Sequence, residues 1–119
     1  MHKWMPRVHE KIRIIAALQD NWDGDNSPAL LPVVKENAMK FLSHIENIEG
    51  LPEPEVCLIS GGGLQIEWCV EGRELEVEFM RFDVIDYLKA SPGFMTEDVF
   101  LPDDPKTACD IVTWLKGGE

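Results

Sequence analysis

An α+β fold is predicted for this chain: two N-terminal helices, an antiparallel meander of three to four strands, and a C-terminal helix. Three observations predict it. Apolar residues recur at helical spacing in the first third of the chain and again near its end. From Leu64 to Phe79 apolar and polar residues alternate through a Glu71-Gly72 turn, the pattern of a half-buried hairpin. The length of 119 residues with 45% hydrophobic content suits one core, so residues 1–119 are expected to form a single domain.

The first helix is expected from Met5 to about Gln19, with Val8, Ile12, Ile15 and Leu18 on one face. Pro6 is tolerated in its first turn, where an N–H would have no intrahelical partner. Lys3, Arg7 and Lys11 repeat every fourth residue on the opposite face, and Arg13 lies close by. No other concentration of positive charge occurs in the chain. Asp20-Asn21-Trp22-Asp23-Gly24-Asp25-Asn26-Ser27-Pro28 ends the helix, because Gly24 and its Asn/Asp neighbours accept the left-handed backbone of a helix exit. The second helix starts near Pro32, and Val34, Ala38, Phe41, Ile45 and Ile48 trace its apolar stripe. Gly50 and Pro52-Glu53-Pro54 stop it.

Val56 to Ser60, rich in strand formers, reads as the first strand, and Gly61-Gly62-Gly63 as its hairpin loop. Leu64 to Val70 and Arg73 to Met80 are the next two strands. A two-residue turn at Glu71-Gly72 sets the register: Leu64 faces Phe79, Ile66 faces Val77, and Trp68 faces Leu75. Val84 to Lys89 reads as a fourth strand, with a short helix as the alternative. Ser91 to Leu101 is expected as loop. Asp104-Pro105 offers an N-cap followed by proline at the first helical position. Ala108, Ile111, Val112 and Leu115 then form the stripe of the last helix, which Gly117 ends.

The charge balance narrows the classes of function. The formal net charge of −11 argues against nucleic-acid binding, which needs cations to displace counterions from phosphate. It fits a cytoplasmic protein or one with a basic partner. The run Ile14-Ile15-Ala16-Ala17-Leu18, bracketed by Arg13 and Asp20, is too short for a membrane span or a signal-peptide core. Cys57, Cys69 and Cys109 lack zinc spacing and are expected as buried or half-buried thiols, although Cys57 and Cys69 lie on neighbouring strands.

The register that aligns the apolar residues also aligns the polar ones. Glu67 faces Glu76, Gln65 faces Glu78, and Cys69 faces Glu74. Like charges directly opposed on neighbouring strands are destabilising. Gln65, Glu67, Glu74, Glu76 and Glu78 therefore form the candidate partner-binding face. The competing readings are a solvated outer sheet face and intramolecular pairing with the basic stripe of the first helix.

Other motifs lose their chemical readings on inspection. A calcium loop starting at Asn21 needs glycine at 26 and glutamate at 32, where this chain has Asn26 and Pro32. Trp22 is expected to pack between the first two helices while Asp and Asn side chains cap the turn, with an exposed interaction anchor as its alternative role. The glycine triplet precedes a strand rather than a helix and lacks a following Lys-Ser/Thr, so it does not read as a phosphate loop. His2, His9 and His44 are scattered, and Ser27, Ser43, Ser60 and Ser91 have no nucleophile-elbow context. No catalytic residue, metal ligand or cofactor is expected.

Two segments carry a resemblance: Asn21-Trp22-Asp23-Gly24 after the first helix, and Gly61-Gly62-Gly63-Leu64-Gln65-Ile66-Glu67-Trp68 opening the hairpin. Together they resemble a family of small bacterial proteins marked by an Asn-Trp-Asp-Gly turn and a Gly-Gly-x-x-x-Glu-Trp hairpin. The resemblance spans roughly residues 12–79. It implies that organisation and a bacterial origin, and supplies no activity.

The expectation is thus a non-enzymatic interaction module, accessory or antitoxin-like, that meets a basic protein partner on the acidic sheet face. Self-association is a further expectation, by pairing the basic stripe with that face. The alternative of another class is a small metal-dependent enzyme using Glu67, Glu76 and Glu78.

Overall fold

Among the described residues eight elements make up the fold, in the order α1 (Met5–Ala16), α2 (Pro32–Ile45), β1 (Glu55–Ile59), β2 (Gly63–Val70), β3 (Arg73–Phe79), β4 (Ile85–Ser91), β5 (Phe94–Phe100) and α3 (Pro105–Leu115). They are seen in a computed structural model that describes residues 2–22, 24, 28–59 and 61–117. The strands form one antiparallel sheet in the order β1-β2-β3-β4-β5, a plain meander. All three helices cover one face of it: α1 lies against β1, and α2 and α3 against β2 and β3.

The α+β class is therefore observed, with five strands where three to four are expected. Ser91 to Leu101 is not loop. Pro92 and Gly93 turn the chain, Gly93 with a positive φ of 77°, and Phe94–Phe100 pairs along the whole of β4. Residues 85–91 are strand rather than helix. The glycine triplet divides as well. Gly61 and Gly62 stand at φ of 100° and 95°, as a tight loop requires. Gly63 belongs to β2 and pairs with Ile59. Its reason is close approach: a Cβ there would lie 1.9 Å from Met80 Sδ.

Helix ends shift for local reasons. α1 stops at Ala16, short of Gln19, and its last turn is closed by the Ala17 N–H donating to Arg13 O. α2 stops at Ile45, so Ile48 packs on the core from outside the helix. α3 starts where the proline signal puts it, with the Asp104 carboxylate accepting from the Thr107 N–H at 3.1 Å. Turn chemistry between β2 and β3 follows the two-residue hairpin, Glu71 and Gly72 both at positive φ (49° and 84°).

The core lies between sheet and helices. Leu64, Ile66, Trp68, Leu75, Val77 and Phe79 line its sheet side, all buried. Phe41 of α2 sits at its centre, 5.7 Å from the Phe79 ring and 6.2 Å from those of Trp68 and Phe100. Two tryptophans tie down the chain entering β1. Trp4 Nε1 donates to the Leu51 carbonyl at 2.9 Å and Trp68 Nε1 to that of Pro52 at 2.8 Å, so both indole N–H groups are satisfied inside. With the helices and the apolar core on one side, every strand presents its alternate residues outward. That outward face holds the candidate site.

Candidate functional site

Register places the candidate residues. Glu67 faces Glu76, Gln65 faces Glu78 and Cys69 faces Glu74, so all five polar candidates stand on the side of the sheet away from the helices. The neighbouring strands extend the same rows. Glu55 lies across from Glu67, Leu88 from Glu76, and Glu97 from Leu88, giving one line across all five strands. In the adjacent line Cys57, Gln65, Glu78, Asp86 and Val99 follow one another. Glu55, Asp86 and Glu97 thus belong to the face although the sequence reading omits them. The signals were present: Pro-Gly at 92–93 is a turn dipeptide, and residues 94–100 carry strand formers on both sides of Thr96.

Hydrogen bonds relieve part of the crowding. The Gln65 side-chain amide donates to Glu67 Oε2 at 2.8 Å and, more loosely, to Glu76 Oε1 at 3.4 Å. It is a neutral bridge between opposed carboxylates. The Cys57 thiol reaches Glu67 Oε1 at 3.7 Å. Burial pushes that thiol's pKa up, and the Glu67 charge adds to the effect, so Cys57 is held as an unreactive thiol. Burial also raises the Glu78 carboxyl above the usual range, followed by the charges of Asp86 and Glu76. Arg81 pulls the other way.

Positive charge is scarce here. Among the ion pairs of the described residues, one reaches this face, Arg81 to Asp86 at 2.6 Å. Arg73 and Lys89 stand on the opposite side of the same strands, over the Trp114 ring at 5.0 Å and 5.4 Å from its centroid. Two cations of α1 are engaged elsewhere: Arg7 pairs with Glu53 at 2.6 Å and Arg13 with Glu10 at 3.1 Å, while Lys11 acts on this face by lowering the Cys57 thiol slightly against its other neighbours. None of the ion pairs among the described residues joins α1 to the strand glutamates, so intramolecular pairing with its basic stripe has no support.

Two open hollows indent the surface here. One of about 410 Å³ lies among Glu76, Glu78, Arg81, Asp86, Leu88 and Glu97, and reaches Tyr87 of β4 and Asp98 of the edge strand β5. The other, about 200 Å³, lies among Glu55, Glu67, Trp68, Cys69, Glu74 and Glu76. They are troughs that suit side chains of a partner better than an enclosed small molecule. Among the described residues no three His, Cys, Asp or Glu side chains converge as metal ligands. His2 and His44 each meet a backbone carbonyl, of Ile45 at 3.1 Å and Pro102 at 3.0 Å, and so hold the helix layer together.

Trp22 lies in the α1–α2 connection and not on the sheet. It is half-buried and outside the core, which corrects the expectation that it packs between the first two helices. Its indole N–H donates to the Pro28 carbonyl at 3.2 Å, and Asp20 Oδ1 accepts from the Ala29 N–H at 2.8 Å, so the two close the loop. The expected capping by Asp23, Asp25 and Asn26 lies outside the described residues, as do Ser27 and Ser60. Cys69 is exposed rather than buried, and it stands in a different row from Cys57, so all three cysteines are free thiols.

No family model, no curated protein and no solved structure matches this chain. Among the described residues no helix is long and apolar enough to cross a membrane.

Proposed function

We propose that this chain is a non-enzymatic interaction module that receives a basic protein partner on the acidic outer face of its sheet. One observation carries the reading. Glu55, Glu67 and Glu76 stand in a line across three adjacent strands, flanked by Glu74 and Glu78, while the cations of β3 and β4, Arg73 and Lys89, point to the other side. Opposed carboxylates lower the stability of a strand pair by about 0.2–1 kcal/mol each. Alternating Lys and Glu would keep the face equally wet without that cost. A partner presenting Lys or Arg removes the repulsion on docking and gains charge-assisted hydrogen bonds. The open hollows receive the stems of such side chains.

The test is the charge-reversed pair Glu76→Lys with Glu78→Lys. The double variant keeps a native circular-dichroism spectrum and melts cooperatively, no lower than the wild type, but no longer captures the basic protein that the wild type retains stoichiometrically from a host lysate. Recovery of the same protein by both baits refutes the reading. The metal-dependent alternative has no specific support in the arrangement of Glu67, Glu76 and Glu78, which lie along rows of a sheet rather than around a point.

A further inference from the structure

The two edges of the sheet are not alike. β1 is a short strand of five residues, entered through Pro52 and Pro54 and packed upon by α1. Such short, proline-flanked, covered strands are protected edges. β5 has seven residues, contains no proline, lysine or arginine, and pairs only with β4 among the described strands. Its outward side chains Met95 and Val99 are 68% and 44% exposed.

Hydrogen bonding identifies which backbone groups β5 offers. The Val99 N–H donates to the carboxylate of its neighbour Asp98 at 2.8 Å, so it points away from β4. In an antiparallel pair, donors and acceptors alternate residue by residue between the two sides of the strand. Met95, Glu97 and Val99 therefore present N–H and C=O off the open edge, while Phe94, Thr96, Asp98 and Phe100 bond to β4. The pair Ser91 and Phe94 closing the Pro92-Gly93 turn agrees with this phase.

From this edge we infer that β5 takes up an extended strand of the basic partner, which adds to the sheet as a sixth strand whose outward-facing side chains run apolar, Lys/Arg, apolar. The inference rests on the basic-partner reading above and specifies how that partner docks. Its apolar residues would lie against Met95 and Val99, and its cation between them against Glu97. Asp98 fits the same scheme: its carboxylate holds the Val99 N–H where a partner's carbonyl oxygen would come, and turns to a cation when displaced.

A second copy of this chain fits the edge poorly. A two-fold antiparallel pairing that keeps the same face outward must centre on one residue of β5. Centring on Glu97 sets Met95 against Val99 but Glu97 against Glu97. Centring on Asp98 opposes two aspartates, and centring on Thr96 sets Met95 against Glu97 and Phe94 against Asp98. These three central registers each oppose like charges or mate apolar with acidic residues, and any register brings together chains that each carry a net charge of −11.

A short synthetic peptide with Val and Lys in turn along one face and Thr along the other (repeat Val-Thr-Lys-Thr) is the probe, titrated calorimetrically and followed by amide hydrogen exchange. Binding is expected to slow exchange at Met95 and Glu97. N-methylation of the peptide's edge-facing amides, or Met95→Pro, is expected to weaken binding about tenfold or more, since each removes edge hydrogen bonds without touching those to β4. A wild-type melting profile for Met95→Pro confirms that the variant folds. Binding that survives both changes overturns strand addition and leaves the acidic-face reading standing. Equal binding of the peptide with Thr in place of Lys overturns the basic-partner reading and the proposal with it. Failure of the wild type to bind the Lys-containing peptide, or a wild-type dimer that Met95→Pro dissociates, overturns the proposal.

Discussion

Replacing Glu76 by lysine is expected to stabilise the fold even as it weakens partner binding. Glu76 stands directly opposite Glu67 on β2 and opposite the apolar Leu88 on β4, so its one directly facing charge is a like charge. Removing that repulsion and replacing it with attraction are each worth about 0.2–1 kcal/mol at cross-strand spacing. The bridge lost from Gln65 is the longer of its two, 3.4 Å, and offsets little of this. A net gain of about 0.5–1.5 kcal/mol follows. At about 2.1 cal/mol/K per residue, 119 residues unfold with an entropy near 0.25 kcal/mol/K, so the gain corresponds to a rise of roughly 2–6 °C in Tm. Thermal melts by circular dichroism at low salt read it directly. At about 1 M salt, where the screening length falls to roughly 3 Å, most of the gain should vanish. Glu36→Lys makes the same change in net charge at an exposed position on α2 and should give a smaller rise. If Glu76→Lys melts at or below the wild type, or keeps its advantage in high salt, the account of this face as electrostatically strained is wrong.

Two further outcomes test the site and its frame. Burial, then Asp86 and Glu76, raises the pKa of Glu78, so the folded chain holds that proton more tightly than the unfolded one. Its contribution is therefore lost as pH rises through the elevated value and fully present below the ordinary glutamate value. Asp103 and Asp104, held below the aspartate range chiefly by hydrogen bonds from Lys40 and Thr107, act oppositely and lose their contribution only at lower pH. Chemical denaturation across this range should show stability rising on mild acidification and falling in stronger acid, with Glu78→Gln flattening the rise alone. At the head of β2, Gly63→Ala would bring a Cβ to 1.9 Å from Met80 Sδ and 2.7 Å from its Cγ. Displacing Met80 should cost about 1–3 kcal/mol. A double-mutant cycle with Met80→Ala should recover much of it, and strict additivity would show that the contact is not the cause.

The hairpin from Leu64 to Phe79 was readable residue by residue because three constraints coincide there: strict alternation, a two-residue turn, and one buried face that makes any slip costly. β5 was hidden because its inward side is not uniformly apolar. Thr96 and Asp98 stand between Phe94 and Phe100 on that side, where the helices give little cover, and Met95 and Val99 face outward. With the alternation blurred, the strand is recognisable only through its pairing with β4. The acidic face was legible in its centre and not in its extent for the same reason, since Asp86 and Glu97 join it only once β4 and β5 are in place. The α1–α2 connection shows a different failure. Trp22 looks like core by residue type, yet the loop uses its N–H to close on Pro28 and leaves the ring half-exposed.

The position of the charges bears on whether they serve solubility or recognition. Protection against edge-to-edge association calls for charge, particularly lysine, on the edge strands. Here Glu67, Glu74, Glu76 and Glu78 lie on β2 and β3, interior strands whose backbone groups are already paired. The open edge instead keeps Met95 and Val99 exposed, with Glu97 between them and Asp98 folded back on the backbone. General solvation is served by either sign, yet the lysine and arginine of β3 and β4 are turned inward over Trp114. A sheet that places repelling carboxylates where they protect nothing, and apolar side chains where they invite pairing, is arranged poorly for solitude. It is arranged well for a partner that brings cations to the interior strands and a strand to the edge, and the Glu76→Lys and Met95→Pro variants test those two contacts separately.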